Sequence, residues 1–312
     1  MALVIYLGSK EGFESTAISL VGIADVQHIE AEPDLVAQAL ITADGLLDAS
    51  MKVRISDDMV RAATRLKIIS CATTGSDHIA RTALDERGIA INTLKEDPDV
   101  LRNITPAAEL TWALLMACAR KLKGAFKHVD EGLWVRENFP GIMLKGRVLG
   151  LIGCGRIGGW MARYAQAFGM TVIAYDPFQD KMPDGVERRA IEQVVSEADF
   201  VSIHVHLSEQ TKGMVSRELI NLFKQGAIFI NTSRGALADE AALLDALASG
   251  KIAAAGVDVL DGEPDIANHP MVEYARSHDN LLITPHCGGF SPDAVRVVCA
   301  HAAQKIKRVL QS

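Results

Sequence analysis

The chain has little cysteine, no excess of basic charge and no apolar run long enough to cross a bilayer. Its five cysteines (Cys71, Cys118, Cys154, Cys287, Cys299) are odd in number and scattered over 312 residues. No disulfide framework or zinc-ligand spacing emerges, so no metal site is expected and a reducing cytoplasm is the expected compartment. Basic residues number 32 against 39 acidic ones, a formal charge of −7. A chain of that sign lacks the electrostatic grip that nucleic acid or an anionic membrane requires. The most apolar helical stretch, near Leu110 to Ala119, falls well short of the ~20 residues that span a bilayer. The opening Met1-Ala-Leu-Val-Ile-Tyr-Leu-Gly8 is apolar but has no basic n-region, and reads as a first strand. Repeats and low-complexity tracts are absent.

What is present is an α/β pattern, long enough for two domains at roughly 100–200 residues each. Over residues 1 to about 98, short apolar runs predict strands at Ala2–Leu7, Gly45–Asp48, Lys67–Cys71 and Ile89–Asn92. Helices such as Pro33–Ile41 and Asp57–Thr64 lie between them. Thr105-Pro106 reads as an N-cap followed by proline at the first helical position. It opens a long hinge helix from Ala107 to about Lys123. Phe126 to Lys145, with Trp134, Phe139, Pro140 and Gly141, reads as an irregular arm able to pack on another subunit. Beyond it six strands are expected: Val148–Ile152, Thr171–Tyr175, Phe200–His204, Ala227–Asn231, Ala254–Val257 and Leu281–Thr284. Six strands alternating with helices make a doubly wound parallel sheet. A last helix, Pro292 to Leu310, is expected to return to the first domain.

One stretch in this pattern is chemically specific. Val148-Leu-Gly-Leu-Ile152 is followed by Gly153-Cys-Gly155-Arg156-Ile157-Gly158, a helical run to Phe168, and the strand Thr171–Tyr175 ending at Asp176. A bare Gly-x-Gly-x-x-Gly is weak, but strand, turn, helix, strand and acid together are not. Gly153 allows the tight turn, Gly155 lets a pyrophosphate approach the backbone, and Gly158 lets helix and strand pack closely. The helix start offers free N–H groups and partial positive charge. Asp176 lies near the ~20-residue offset at which an acid grips an adenosine ribose. A carboxylate there repels a 2′-phosphate, and Pro177-Phe-Gln-Asp180 offers no arginine to reverse the choice. The expected cofactor is NAD.

Ligands of open α/β sheets lie beyond the carboxyl ends of the strands. Arg234, Glu263 and His286 each follow a strand there. Together they offer an anion clamp, a carboxylate and an acid/base, the set that hydride transfer to a keto acid requires. The guanidinium fork binds a carboxylate or carbonyl oxygen, the imidazolium gives a proton to the developing alkoxide, and the carboxylate orients the ring. His204 and His206 alternate on a strand, but no third ligand suggests a metal. His206 is expected to line the cofactor cleft.

Four pieces make the chain resemble the D-isomer-specific 2-hydroxyacid dehydrogenases. They are Gly153-Cys-Gly-Arg-Ile-Gly158, Asn231-Thr-Ser-Arg-Gly235 with Asp239-Glu240, Gly256-Val-Asp-Val259 with Glu263-Pro264, and Thr284-Pro-His286-Cys-Gly-Gly289. The resemblance implies two Rossmann-like domains of doubly wound parallel sheets. A discontinuous flavodoxin-like substrate domain (1–100 plus 287–312) would hold the NAD-binding domain (101–286) as an insert, usually in a homodimer. It implies Arg234 as substrate clamp, His286 as acid/base and Glu263 as its partner. Thr74, Gly75 and Ser76 would meet the substrate carboxylate through their backbone. Asp258 would bond the nicotinamide carboxamide, while Thr211, Thr232 and Gly288 would line the cofactor cleft. The implied activity interconverts a small D-2-hydroxy acid and its 2-keto acid. Alternatives are 3-phosphoglycerate dehydrogenase, for which no basic residue near the substrate turn is evident from order alone, and an NAD-sensing corepressor-like binding protein. The end at Ser312 leads us to expect no C-terminal regulatory domain. The turn Ala-Thr-Thr-Gly-Ser-Asp is less glycine-rich than in many relatives, and Thr73 and Thr74 add hydroxyls there.

Overall fold

Short buried aliphatic runs become parallel strands throughout the chain, and amphipathic segments between them become helices on both faces. The computed structural model describes all 312 residues and divides into two units, Met1–Ile104 with Gly289–Ser312, and Thr105–Gly288.

The first unit begins β1 (Ala2–Leu7), α1 (Lys10–Ser19), β2 (Ala24–His28), α2 (Pro33–Leu40) and β3 (Gly45–Asp48). It continues α3 (Asp57–Ala62), β4 (Ile68–Cys71), α4 (Thr82–Arg87), β5 (Ala90–Asn92) and α5 (Pro98–Leu101). The five strands are parallel in the order β2-β1-β3-β4-β5, the flavodoxin-like order. Every residue of β3 and β4 is buried, as helices on both faces require. Strand β2 has no counterpart among the expected strands. It is an edge strand, Ala-Asp-Val-Gln-His, with one buried residue, so it shows no apolar run.

The second unit begins with α6 (Pro106–Ala119) and α7 (Leu122–Asp130). It continues β6 (Val148–Ile152), α8 (Arg156–Ala167), β7 (Thr171–Tyr175), β8 (Val186–Arg188), α9 (Ile191–Glu197), β9 (Phe200–Ile203) and α10 (Arg217–Leu222). Then come β10 (Ala227–Asn231), α11 (Glu240–Ala248), β11 (Ile252–Val257), α12 (Pro270–Ser277) and β12 (Leu281–Ile283). The sheet has seven strands, not six, in the order β12-β11-β10-β9-β6-β7-β8. The added strand, β8, is a three-residue edge with Glu187 and Arg188 exposed. Strand order reverses between β6 and β9, where a nucleotide crevice opens in such sheets.

The expected single helix to Lys123 is two helices. Lys121 adopts φ +53, which interrupts the i→i−4 ladder. Phe126 to Asp130, expected to be irregular, belongs to α7. Thr105 does sit at the N-cap of α6 but makes no capping bond. Its hydroxyl donates to Glu109 Oε1 at 2.5 Å.

The chain then re-enters the first unit as α13 (Pro292–Gln311). Ser291 caps it, and Val298, Cys299, Ala302 and Ile306 are buried in the core around β1 and β4. Ser70 donates to the carbonyl of Ala302 at 3.0 Å.

Candidate active site

The glycine turn is built as its sequence requires. Gly153 has φ +90, and a Cβ there would lie 2.4 Å from the carbonyl oxygen of His204. A Cβ on Gly158 would lie 2.4 Å from the carbonyl oxygen of Gly153. Gly155 is different, because nothing lies within 4 Å of its missing side chain. It is the N-cap of α8 and supplies no side-chain cap. The helix therefore opens without a side-chain cap beside an uncrowded glycine, which suits a pyrophosphate. Asp176 is buried. Its Oδ2 accepts from the Cys154 N–H at 2.8 Å and its Oδ1 from the Phe178 N–H at 2.9 Å. A two-oxygen acceptor can hold both backbone bonds and still take a ribose hydroxyl. These residues fit a dinucleotide. Arg188, arriving from β8, donates to the carbonyl oxygens of Asp176 and Gln179. It is an arginine held against the loop that follows Asp176, and sequence order did not reveal it.

Glu263 and His286 meet. His286 Nδ1 and Glu263 Oε1 are 2.5 Å apart, with side chains about one-third and one-quarter exposed, at 33% and 27%. Glu263 Oε2 also accepts from the Leu260 N–H at 3.3 Å. His286 adopts φ +50, a left-handed conformation that costs a side-chain-bearing residue about 1 kcal/mol. Asp258 holds it there. The His286 N–H donates to the Asp258 carbonyl at 2.8 Å. The Asp258 carboxylate accepts from Thr284 Oγ1 (2.5 Å), the Cys287 N–H (3.0 Å) and the Gly288 N–H (2.7 Å). Asp258 itself is 1% exposed.

Arg234 follows β10 on a loop pinned by its neighbours. Asn231 accepts from the Ser233 N–H and donates to the Arg234 carbonyl, while Ser233 donates to the Ile203 carbonyl. Thr232 and Thr111 share a hydroxyl bond at 2.7 Å. A Cβ on Gly235 would lie 2.1 Å from both the Asp261 nitrogen and the Leu260 carbonyl carbon. The Arg234 loop thus rests directly on the loop that carries Glu263. His206 is exposed, and its carbonyl accepts from Thr211 Oγ1 at 2.7 Å. His204 bonds Ser202 Oγ through Nε2 at 2.9 Å, and burial pushes it down to about 3. Burial pushes the Cys154 thiol up to about 11 and raises Cys287 as well.

The turn Thr74-Gly75-Ser76 lies in the first unit, after β4. Thr73 Oγ1 donates to the Gly75 carbonyl at 2.7 Å, so this hydroxyl closes the turn. Arg81 Nη2 donates to Ser76 Oγ at 2.7 Å. His78 Nε2 meets the wholly buried Asp48 carboxylate at 2.8 Å. Nothing in the order of residues signals these last two contacts.

Fold and site together define a dinucleotide-binding α/β protein with a carboxylate–imidazole pair beyond its strand ends. The family model for the "D-isomer specific 2-hydroxyacid dehydrogenase, NAD binding domain" matches residues 112–288. The hydroxypyruvate reductase of Thermotoga maritima is 39% identical over 288 residues, 91% of this chain and 90% of that protein. The D-3-phosphoglycerate dehydrogenase of Methanocaldococcus jannaschii is 36% identical over 298 residues, 93% of this chain. The chain spans about half the length of that relative, 55%. The crystal structure of the TT0316 protein from Thermus thermophilus superposes with a TM-score of 0.86 at 32% identity, covering 100% of this chain and 97% of that one. The chain belongs to the D-isomer-specific 2-hydroxyacid dehydrogenase family.

Proposed function

We propose that the protein is an NAD-dependent oxidoreductase that interconverts a small D-2-hydroxy acid and its 2-keto acid. The 2.5 Å contact between His286 Nδ1 and Glu263 carries the reading. An imidazole held through Nδ1 presents Nε2 for proton exchange with a substrate oxygen. Bound NAD would supply or accept the hydride at substrate C2. His286 gives the proton to the forming alkoxide in reduction and removes it in oxidation, while Glu263 orients the ring. Arg234 clamps the substrate through its planar fork. Gly153, Gly155, Arg156, Ile157 and Gly158 cradle the pyrophosphate, and Asp176 selects NAD through the ribose. His206, Thr211, Thr232, Asp258 and Gly288 line the rest of the cofactor cleft. The first unit serves as the substrate domain, with Thr74, Gly75 and Ser76 as a carboxylate-binding turn. The test is NADH oxidation with pyruvate, glyoxylate, hydroxypyruvate and phosphohydroxypyruvate, in parent and His286→Gln. Turnover of a small keto acid, abolished in the variant with NAD binding kept, is expected. Silence across the panel with NAD bound would transfer the protein to the sensor class.

Arg81 favours a second reading. It places a guanidinium against the substrate turn at Ser76, where a substrate phosphate could be met. A marked preference for phosphohydroxypyruvate, lost in Arg81→Ala, would establish a 3-phosphoglycerate dehydrogenase. A homodimer is part of the proposal, supported by exposed Phe126, Val129, Trp134 and Met143 on α7 and the segment after it. Light scattering that gives a monomer at micromolar concentration would remove it. All five cysteines are free, which supports a reducing cytoplasm. No helix is long and apolar enough to cross a membrane.

A further inference from the structure

Behind Glu263 lies a second carboxylate–imidazole pair that the proposed reaction does not use. Glu240 stands at the first position of α11, and His269 is the N-cap of α12. Both grip one residue of the loop between them, Asp261, through the peptides on its two sides. Glu240 Oε1 accepts from the Asp261 N–H at 3.0 Å. His269 Nε2 meets the Asp261 carbonyl at 3.1 Å and Glu240 Oε2 at 3.2 Å. The tautomer follows from the partners. His269 Nδ1 accepts from the Met271 N–H at 3.2 Å, so its lone pair is committed, and Nε2 carries the proton that it donates to the Asp261 carbonyl beside Glu240. Both side chains are nearly covered, at 16% and 12% exposed.

Asp261 is two residues from Glu263, on the loop against which Gly235 packs. We infer that Glu240 and His269 are positioning residues: they fix the backbone on both sides of Asp261, and through it the angle at which Glu263 meets His286. A surface loop of polar residues would otherwise be free to drift. The pair instead ties it to the two helices that follow Arg234 and precede His286. Burial pushes the Glu240 carboxyl above the usual carboxylate range; nearby Asp261 and Glu263 add to this, and His269 and the Asp261 N–H oppose it. A carboxylate kept there against burial needs the Asp261 N–H that it accepts from and the imidazole beside it.

The inference rests on the proposed roles of Glu263 and His286, and its test has a readout that does not need turnover. Two variants are compared with the parent: Glu240→Ala, which removes the grip, and His269→Asn, which keeps the helix cap and loses the Nε2–H. Nitrogen-15 NMR of labelled histidines reads the His286 tautomer at alkaline pH, assigned with His286→Gln. In the parent, His286 should be the Nδ1–H form. In Glu240→Ala and His269→Asn, the Nε2–H form should appear. Their kcat on the best keto acid should fall by up to about a hundredfold, the cost of a misplacement of about 1 Å, with KM for NADH little changed. A parent-like tautomer in both truncating variants overturns the inference. A parent inactive on every keto acid would defeat the functional reading, while the tautomer would still decide this one.

Discussion

Replacing Asp258 with asparagine tests whether one buried carboxylate holds His286 in place. Its two oxygens accept from Thr284, Cys287 and Gly288, and the side chain is 1% exposed. Asparagine fills the same space but turns one oxygen into an NH₂ group. The Thr284 hydroxyl can rotate to accept; the two backbone N–H groups cannot. Whichever way the amide is placed, a donor faces a donor, at Cys287 or at Gly288. An orphaned buried N–H costs about 1–3 kcal/mol, and bonds to a charged acceptor sit at the upper end, so about 3 kcal/mol is expected. For a unit of this size, 1 kcal/mol moves the melting temperature by about 2–4 °C, which gives a fall of ~6–12 °C. Activity should suffer more than stability. His286 is held at φ +50 only while its flanking N–H groups are bonded, and a relaxed backbone carries the imidazole away from Glu263. The assay is a melt by circular dichroism beside kcat on the same preparation. A melting temperature within ~2 °C of the parent, with unchanged turnover, would refute the reasoning.

Asp176→Ala should raise the NADP-to-NAD ratio of kcat/KM. It should also loosen the glycine turn, because the Cys154 and Phe178 N–H groups lose their acceptor; an unaltered ratio rules out the ribose contact. Lys123→Met should cost about 1.5–3 kcal/mol in a urea melt, since Nζ donates to the carbonyls of Ala275 (2.5 Å) and His278 (2.9 Å) at the end of α12 and of Leu281 (3.0 Å) at the start of β12. A parent-like midpoint would mean that water replaces the ammonium without loss. Burial would raise the Asp199 carboxyl, but Lys224, the Val148 N–H and Arg147 outweigh it and lower it overall. The stability it contributes is therefore fully present above the unfolded carboxyl value of about 3.9 and is lost as pH falls through the lower folded value. Urea midpoints taken from neutral to acid pH should fall less steeply for Asp199→Asn than for the parent; parallel curves would reject this assignment.

Strands with a continuous apolar run were readable from the sequence because burial on both faces leaves only one kind of residue possible. Val148–Ile152, Thr171–Tyr175 and Ala227–Asn231 occur with the bounds that the pattern predicts. The two strands without a predicted counterpart, Ala24–His28 and Val186–Arg188, are sheet edges where exposure admits Asp25, Gln27, Glu187 and Arg188. Edge strands form because a neighbour offers a ladder, and the neighbour is not local in sequence. The split of the expected hinge helix at Lys121 has the same origin, since nothing about a lysine announces φ +53.

The site divides along a similar line. Gly153 and Gly158 were legible because only glycine tolerates what the backbone does there, so the residue type itself reports the geometry. Glu263 and His286 were legible as a pair only through their chemistry and the family resemblance, for the contact joins loops 23 residues apart. Glu240 stood inside a matched motif without a role, because its partners, the Asp261 peptide and His269, come from two other segments. Asp258 was read as a ligand for the cofactor; its position adds a second task, since the same carboxylate fastens the turn that presents His286. A side chain that binds backbone leaves no periodic trace, because the groups it satisfies belong to every residue alike. The parts of this site that sequence conceals are therefore the ones that set its geometry, and variants at Asp258, Glu240 and His269 should separate orientation of the imidazole from its chemistry.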